Sequence, residues 1–313
     1  MYRVFVDGQE GTTGLQIYER LAGHPGVEVL QIDPERRKES AARQELLNAA
    51  DVAFLCLPDV AARESVALVT SEKTRVIDAS TAHRTNPEWV YGLPELAKEQ
   101  RGRIREAKRV AVPGCYATGF ILALYPLVKG GVVAADYPVT CHAVSGYSGG
   151  GKGLISQYQG EETAHLNAPR AYALGLSHKH LPEMQYVCGL AAKPLFAPMV
   201  SNYYKGMAVF VPLYRKLLNG TPSAEEVQRY LADYYAGERF VQVMPFEDQS
   251  VLENGFLNLL QCNETNRNDV FVFGNEEQVL LVSRLDNLGK GASGAAVQNM
   301  NIMLGFDEGA GLG

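Results

Sequence analysis

The chain has 313 residues, of which 46% are hydrophobic and 20% are charged, and its formal net charge at pH 7 is −6. This composition supports one large folded domain or two of ordinary size and argues against intrinsic disorder. The acidic charge and the lack of a basic tract argue against a nucleic acid or an acidic membrane surface as partner.

No apolar stretch reaches the roughly 18 residues that cross a membrane, and the first residues resemble a strand rather than a secretion signal. Five cysteines are scattered along the chain without a C-x-x-C pair, at positions 56, 115, 141, 188 and 262. This spacing argues against a zinc knuckle and a disulfide framework, so we expect a cytoplasmic protein with free thiols. All but Cys115 lie in or beside apolar runs and are interpreted as core residues.

The first third of the chain alternates short apolar runs with helical stretches. The predicted strands cover residues 2–6, 27–32, 52–57, 75–78 and 109–112. Helices are expected over 15–23, 40–50 and 59–69, with Asp59 as a candidate N-cap and His24 in a solvated turn. Strands separated by helices of this length indicate βαβ units, so we predict an α/β Rossmann doubly wound parallel sheet.

Three glycines, Gly8, Gly11 and Gly14, follow the first strand and open the first helix. Their G-x-x-G-x-x-G spacing departs from the dinucleotide fingerprint G-x-G-x-x-G. Their position is nevertheless the strand-to-helix turn where backbone amides hold a pyrophosphate. We therefore interpret this segment as a cofactor site rather than an ordinary glycine-rich turn.

The end of the second strand carries groups that suit different cofactors. Asp33 suits the ribose hydroxyls of NAD, whereas Arg36, Arg37 and Lys38 suit the 2′-phosphate of NADP. Pro34 directs the chain away after Asp33, and the arginines also fit a solvated loop. The residues alone therefore leave the choice between NAD and NADP open.

Cys115 is the strongest candidate for chemistry. It follows a buried run that ends in Val112-Pro113-Gly114, and it precedes an apolar helix predicted over 116–127. A thiol at a helix N-terminus lies near free backbone N–H groups that favour its anion, which is the nucleophilic form. We therefore interpret Cys115 as a nucleophile, although an unpaired cysteine is more often a core residue.

A strand over 139–144 leads into a glycine- and serine-rich run, residues 145–153, which contains Lys152. Such a run forms either a backbone cradle for an anion or a flexible linker, and the lysine favours phosphate. The short apolar runs that follow predict a second, α+β domain with a mainly antiparallel sheet. These runs cover residues 194–200, 206–213, 240–244, 256–262, 270–273 and 278–285.

One helix interrupts these runs over 223–235, where Ser223 and Glu226 form a capping box. The last segment, 287–305, has small residues at 291–296 followed by larger apolar ones. It is interpreted either as a C-terminal core helix or as a helix that returns to the first domain and meets the nicotinamide end of the cofactor.

The segment His178-Lys179-His180-Leu181-Pro182-Glu183 supplies two imidazoles. A metal site here needs further ligands, and none is clustered nearby, so no metal is expected. A nucleophilic thiol needs a proton partner, which is usually imidazole. His180 is therefore the first candidate and His178 the second, with an ordinary surface pair as the alternative.

Four ordered motifs resemble N-acetyl-gamma-glutamyl-phosphate reductase of the shorter form, type 2, in the aspartate-semialdehyde dehydrogenase-like superfamily. They are 112–118 (VPGCYAT), 145–149 (SGYSG), 178–183 (HKHLPE) and 286–292 (DNLGKGA) with Val297-Gln298-Asn299. The similarity runs essentially end to end, and the glycine turn also suits the family. Residues 78–84 (DASTAHR) are a looser version of the family's Asp-Leu-Ser-Ala-Asp-Phe-Arg, which leaves the role of Arg84 open.

The resemblance implies NADPH-dependent reduction of N-acetyl-L-glutamyl 5-phosphate to N-acetyl-L-glutamate 5-semialdehyde in arginine biosynthesis, with phosphate release and a thioester on Cys115. It implies NADP as cofactor, a small-molecule acyl-phosphate substrate and a homodimer or homotetramer. The implied domains are a dinucleotide-binding domain of residues 1–114 and 287–313, and a catalytic, substrate and oligomerisation domain of residues 115–286.

On this resemblance the site residues form three groups. Catalysis is assigned to Cys115 and His180, with His178 as the backup. The residues assigned to the cofactor are Gly8, Gly11, Thr12, Thr13, Gly14, Arg36, Arg37, Ser80, Asn287 and Gly291. The residues assigned to substrate and phosphate are Ser145, Gly146, Ser148, Lys152, Arg84 and Glu183.

Two rival functions stay open at this point. Aspartate-semialdehyde dehydrogenase shares the architecture and the thioester chemistry, and only the side-chain pocket separates the substrates. A non-catalytic dinucleotide-binding redox sensor, with Cys115 as its sensing thiol, belongs to a different class. The histidine pair and the glycine–serine run favour the reductase, because a sensor needs neither.

Overall fold

The computed structural model describes residues 1–161 and 163–312. The chain divides into two compact units, one made of residues 1–114 and 292–313 and the other of residues 115–291. The first unit therefore takes its sequence from both ends of the chain, and the second unit is inserted between them.

The elements are numbered here in chain order. The strands are β1 (Tyr2–Asp7), β2 (Val27–Leu30), β3 (Val52–Leu55), β4 (Arg75–Asp78), β5 (Val90–Tyr91), β6 (Arg109–Ala111), β7 (Thr140–Gly146), β8 (Arg170–Ala171), β9 (Leu195–Ser201), β10 (Met207–Tyr214), β11 (Val241–Val243), β12 (Asn268–Gly274) and β13 (Gln278–Leu285). The helices are α1 (Thr12–Ala22), α2 (Ser40–Ala49), α3 (Asp59–Leu68), α4 (Gln100–Glu106), α5 (Cys115–Lys129), α6 (Gly151–Tyr158), α7 (Leu181–Cys188), α8 (Ala224–Tyr234) and α9 (Gly294–Leu304).

The first unit is built on a parallel sheet with the strand order β2-β1-β3-β4-β6-β5. Strand β3 is buried along its whole length, as a continuous apolar run requires in a sheet that is covered on both faces. One core cluster contains Val4, Phe54 and Met300, and a second contains Phe5 and Leu55. Neighbouring residues of β1 and of β3 thus pack into different clusters, one on each face of the sheet. The predicted doubly wound sheet is confirmed.

The second unit is built on a mixed sheet with the order β11-β12-β13-β10-β7-β9-β8. Parallel pairings join β7 to β9 and β11 to β12, and the other neighbouring strands in the described residues run antiparallel. The predicted α+β domain with a mainly antiparallel sheet is therefore confirmed. Helix α5 is buried on every side over residues 116–124, which explains its lack of a polar face.

The C-terminal segment forms a π-helical turn, Gly289–Ser293, followed by α9. Helix α9 is buried over residues 294–303. Its Ala295, Val297 and Met300 join the same apolar cluster as Val4 of β1, so α9 is a core helix of the first unit.

Three local predictions are wrong. Residues 256–262 form turns rather than a strand, although Leu257 and Leu259 still pack half-buried on the core cluster around Phe271. Asp59 does not cap α3, because Pro58 holds the N-cap position and the Asp59 carboxylate accepts the Thr81 backbone N–H at 3.0 Å.

His24 is the third, because it is buried rather than solvated. Its Nε2 lies 3.1 Å from Oδ1 of Asn301, and its ring contacts Phe306. Both partners come from the C-terminal segment, so the local turn sequence around Pro25 carries no sign of them. No helix in the described ranges is both long and apolar enough to cross a membrane.

Candidate active site

Cys115 is the first residue of α5, at the end of the turn that follows β6. It is partly exposed, while the helix behind it is buried. The first N–H groups of a helix have no partner within the helix, and the helix dipole places partial positive charge at this end. The sulfur is therefore accessible at a position that favours a thiolate.

The other cysteines differ from Cys115 in their surroundings. Cys141, Cys188 and Cys262 are buried, and Cys56 is partly buried. Burial raises the pKa of Cys262 to about 11 and raises the pKa of the other three as well, which keeps them as neutral thiols.

Two tyrosine hydroxyls interact electrostatically with Cys115. The Tyr172 hydroxyl donates to the Tyr116 hydroxyl at 3.0 Å. Burial raises the pKa of Tyr116 well above its ordinary value, and burial together with the charge of a Cys115 thiolate raises the pKa of Tyr172 to about 12. Both hydroxyls are thus neutral hydrogen-bond donors at physiological pH.

The two histidines lie against the same tyrosine. The Tyr116 ring centroid is 5.7 Å from that of His178 and 5.9 Å from that of His180. The His180 backbone N–H donates to Nδ1 of His178 at 3.1 Å, immediately before α7 begins. This bond fixes the turn that delivers buried His180 to the helix start, where Glu183 is also buried.

The two imidazoles are not equivalent. Burial, assisted by the Lys179 charge, lowers the pKa of His178 to about 4. His178 is therefore neutral near pH 7, and because its Nδ1 accepts a hydrogen bond, its proton lies on Nε2. A neutral imidazole of this kind is a poor proton donor at pH 7, which leaves His180 as the stronger acid candidate.

The glycine–serine run is ordered rather than a linker. Ser145 and Gly146 end β7, Ser148 lies in the 3-10 turn Tyr147–Gly150, and Lys152 is exposed in the first turn of α6. Gly146 has no room for a side chain, because a Cβ would lie 2.6 Å from the Tyr204 carbonyl oxygen.

The segment after β13 is anchored to this run. The Asn287 amide donates to the Ser148 hydroxyl at 3.0 Å, and its carbonyl accepts the Gly206 N–H at 2.8 Å. Gly291 then lies directly against Cys115, since a Cβ on Gly291 would be 2.7 Å from Cβ of Cys115. Asn287 and Gly291 thus belong to the unit that holds Cys115.

Five of the predicted cofactor residues, at positions 8 and 11–14, lie in the glycine turn after β1. Strand β1 lies between β2 and β3, which makes its carboxyl end the point where the chain switches direction across the sheet and where ligands bind. Gly8 has φ of +89°, and a Cβ on it would be 2.5 Å from the Cys56 carbonyl oxygen. A Cβ on Gly14 would be 2.3 Å from the Gly8 carbonyl oxygen.

This turn has the chemistry that a dinucleotide needs. Its backbone is exposed to close approach at the N-terminus of α1, where no acidic side chain lies in the first helical turn. Two buried polar atoms, Oγ1 of Thr12 and Oε1 of Gln9, have no hydrogen-bond partner among the described residues. The residues present therefore fit a nicotinamide dinucleotide, with its pyrophosphate on the turn.

The charged side chains after β2 form hydrogen bonds and ion pairs within the first unit. The Asp33 carboxylate accepts the Glu35 N–H at 2.9 Å within its own turn. Arg36 pairs with Glu39 at 3.0 Å, and Arg37 pairs with Glu10 of the glycine turn at 2.9 Å.

Ser80 and Arg84 are buried in the first unit, on the segment after β4. The Ser80 hydroxyl donates to the Asp78 carboxylate at 2.7 Å. The Arg84 guanidinium donates to the carbonyls of Val112 and Ala79 at 2.9 and 3.1 Å. Arg84 thus fixes the backbone at Val112, three residues before Cys115.

Tyr172 is the residue that sequence reasoning missed. It stands six positions before His178 in a segment with no predicted element, and only the fold brings its hydroxyl to Tyr116. Within the described residues, no group of three or more His, Cys, Asp or Glu side chains is arranged to hold a metal ion.

Two family models match the chain. "Semialdehyde dehydrogenase, NAD binding domain" matches residues 3–104, and "Semialdehyde dehydrogenase, dimerisation domain" matches residues 115–287. Among solved structures, aspartate semialdehyde dehydrogenase from Francisella tularensis has a TM-score of 0.72 at 13% identity, covering 97% of this chain and all of that one (100%). Aspartate semialdehyde dehydrogenase II from Vibrio cholerae has a TM-score of 0.70 at 15% identity, covering 97% and 98%. At these identities the likeness shows the fold alone.

Relatives that are much closer in sequence carry a different name. N-acetyl-gamma-glutamyl-phosphate reductase 2 from Nostoc sp. is 50% identical over 318 residues, covering 99% of each chain. The protein of the same name from Pseudomonas putida is 49% identical over 304 residues, covering 96% of each.

Proposed function

The chain belongs to the family of N-acetyl-gamma-glutamyl-phosphate reductases, and on that premise we propose how its residues carry out the reaction, with Cys115 as nucleophile and NADPH as reductant. It is an oxidoreductase that reduces N-acetyl-L-glutamyl 5-phosphate to N-acetyl-L-glutamate 5-semialdehyde with release of phosphate, a step of arginine biosynthesis. The observation that carries the proposal is the partly exposed Cys115 at the start of α5, followed by Tyr116, which contacts Tyr172 and both histidines.

The first step forms a thioester. The Cys115 sulfur attacks the acyl carbon, a C–S bond forms, and the C–O bond to phosphorus breaks as phosphate leaves with the electron pair. The thiolate is favoured by the helix N-terminus, and the buried cysteines stay protonated because their pKa values are raised. The thiolate's access to solvent fits a small, soluble acyl phosphate as the substrate.

The second step places negative charge on the former carbonyl oxygen. When bound, NADPH would supply the hydride that reduces the thioester carbon. Fixed hydrogen-bond donors stabilise the developing oxyanion. The backbone amides at the start of α5 and the neutral Tyr116–Tyr172 hydroxyl pair are the donors that we propose for this role.

The third step needs an acid and then a base. We assign both roles to His180, which gives a proton to the oxyanion and takes it back as the C–S bond breaks and the aldehyde leaves. His178 is the weaker candidate, because its lowered pKa keeps it neutral. Its acceptor bond from the His180 N–H makes it a positioning residue instead.

For the substrate phosphate, we propose the segment from Ser145 to Lys152. Ser145, Gly146 and Ser148 are ordered by β7, by Asn287 and by close backbone packing, and Lys152 supplies an exposed cation. Glu183 is assigned to substrate binding from its buried position in the first turn of α7. Arg84 is proposed to act indirectly, through the carbonyls that it holds.

For the cofactor, we propose NADP on the glycine turn, with Arg36 and Arg37 toward the 2′-phosphate. Gly8, Gly11, Thr12, Thr13 and Gly14 form the pyrophosphate site in this proposal, and Ser80, Asn287 and Gly291 are further contacts. We also propose that the protein is a cytoplasmic homodimer or homotetramer, which the dimerisation-domain match supports.

An assay in the reverse direction tests the proposal. N-acetylglutamate 5-semialdehyde and phosphate should reduce NADP⁺, and activity should be absent without phosphate. Cys115→Ser should abolish turnover, and His180→Asn should lower kcat by about a hundredfold or more. Absence of turnover in the wild-type chain would favour the redox-sensor alternative, and use of aspartate semialdehyde instead would favour the other dehydrogenase.

A further inference from the structure

The mouth of the proposed cofactor site carries an ion pair that joins two separate turns. Strands β1 and β2 are parallel neighbours, so the glycine turn after β1 and the turn after β2 lie at the same edge of the sheet. Glu10 belongs to the first turn and Arg37 to the second, and their side chains meet at 2.9 Å. The ion pair therefore spans the place where the adenosine ribose lies in doubly wound sheets.

Neither partner is fixed by burial. The Arg37 side chain is 42% exposed and that of Glu10 is 55% exposed. Arg37 also donates to the Pro34 carbonyl at 3.3 Å, which holds its stem over the turn after β2. A half-exposed ion pair is worth little in free energy, so an incoming anion can replace the carboxylate.

Two other arginines lie close to this edge. Arg36 pairs with Glu39 of its own segment rather than with the glycine turn, and Arg43 is not free to respond in the same way as Arg37. Arg43 is held in the protein by Asp7, with one contact of 2.9 Å, and both side chains are nearly buried, at 12% and 5% exposure. Breaking a buried pair of this kind leaves an uncompensated charge, which is costly. Arg37 is thus the exchangeable cation that reaches the glycine turn.

We propose that Glu10 sets how strongly the protein prefers NADPH to NADH, by competing with the 2′-phosphate for Arg37. This inference rests on the proposed cofactor site. The Glu10 carboxylate weakens NADPH binding, because it neutralises Arg37 and repels a phosphate that carries about two negative charges. It leaves NADH binding nearly unchanged, because the 2′-hydroxyl of that nucleotide is neutral.

Direct binding of each nucleotide to the full chain tests this inference. We expect Glu10→Gln to lower the Kd for NADPH about three- to fivefold at low salt, and to change the Kd for NADH by less than about twofold. The gain should shrink as ionic strength rises. Titration calorimetry measures both affinities without depending on turnover.

A double-mutant cycle shows whether Glu10 acts through Arg37. Arg37→Gln should weaken NADPH binding selectively, and adding Glu10→Gln in that background should have no further effect beyond that of a general charge change. Glu35→Gln is the matched control: it removes the same charge from the turn after β2, where no ion pair involves Glu35 in the described part of the chain.

The outcomes separate the two proposals. An unchanged ratio of NADPH to NADH affinity in Glu10→Gln, an equal shift in Glu35→Gln, or the same gain in the Arg37→Gln background overturns this inference alone. A wild-type chain that binds neither nucleotide overturns the proposed function together with it.

Discussion

Gly291 packs against Cys115, the proposed nucleophile, with no room for a side chain. Its φ is not in the left-handed region, so alanine is compatible with the backbone conformation there. The obstacle is space, because a Cβ would lie 2.7 Å from Cβ and 3.2 Å from Cα of Cys115. The segment that carries Gly291 cannot easily retreat, since Asn287 is bonded to Ser148 and Gly206.

We therefore expect Gly291→Ala to displace the sulfur. The predicted result is a fall in kcat of about tenfold or more, with slower alkylation of Cys115 by iodoacetamide. Gly153→Ala is the control, because a Cβ there meets nothing within 4 Å. Normal kcat and normal alkylation of Cys115 in Gly291→Ala would contradict the displacement of the sulfur.

The lowered pKa of His178 predicts how the stability of the protein depends on pH. Its pKa is about 4 in the folded protein and about 6.5 in an unfolded chain, so the unfolded state binds more protons between these values. The His178 contribution to stability is therefore lost progressively as pH falls from about 6.5 to about 4. In His178→Gln the decrease in Tm over this range should be smaller than in the wild type.

The slope of Tm against pH is the quantity to compare, because replacing the His178 ring that packs on Tyr116 also lowers Tm at every pH. Thermal unfolding at pH 7, 6, 5 and 4 in both proteins measures it. Parallel Tm profiles would contradict the low pKa assigned to His178.

Much of the proposed site could be inferred from sequence because its residues lie in short ordered motifs. The strand–Pro-Gly–Cys–helix context singles out Cys115, and the spacing of the two histidines singles out that pair. The distinction between His178 and His180 could not be predicted, since it depends on burial and on a backbone bond to Nδ1. No sequence pattern indicated Tyr172, because the residue that it contacts, Tyr116, lies 56 residues away in the chain.

At the scale of elements, the start of α8 is stabilised by a local signal. Ser223 accepts the Glu226 N–H at 3.2 Å, and the Glu226 carboxylate accepts the Ser223 N–H at 2.7 Å, which confirms the predicted capping box. We expect Ser223→Ala to lower the free energy of unfolding by about 1 kcal/mol, measured by urea denaturation. Ser156→Ala, at an exposed position inside α6, should cost nothing; equal losses in both variants would argue against the cap.

Elements with strong local patterns could be predicted, and short ones could not. Strands β4 and β13 have the predicted bounds, because each is an apolar run closed by polar or turn residues. Strands β5 and β8 have two residues each and are defined by a neighbouring strand rather than by their own sequence. The strand predicted over 256–262 is wrong because an apolar run need not form a strand. Leu257 and Leu259 pack against the core without belonging to one.

At the scale of the whole molecule, the first unit depends on a helix from the far end of the chain. Met300 of α9 is fully buried in the same cluster as Val4 and Phe54. Sequence patterns could identify α9 as apolar, but its place in the core comes from packing between segments that are distant along the chain. No local periodicity contains that information.

Shortening the Met300 side chain should therefore destabilise the first unit. We expect Met300→Ala to lower the free energy of unfolding by about 2–5 kcal/mol, with loss of the unit that carries the glycine turn. Leu15→Ala is the control, because Leu15 is 48% exposed. A loss below about 1 kcal/mol for Met300→Ala in urea denaturation would contradict the assignment of α9 to this core.

Mass spectrometry of the protein mixed with N-acetylglutamyl 5-phosphate, quenched in acid and without NADPH, tests the thioester most directly. The account predicts an N-acetylglutamyl adduct on the peptide that contains Cys115, which disappears when NADPH is added before the quench and is absent from Cys115→Ser. Phosphate release and later reduction without any adduct at Cys115, or an adduct on another residue, would contradict it.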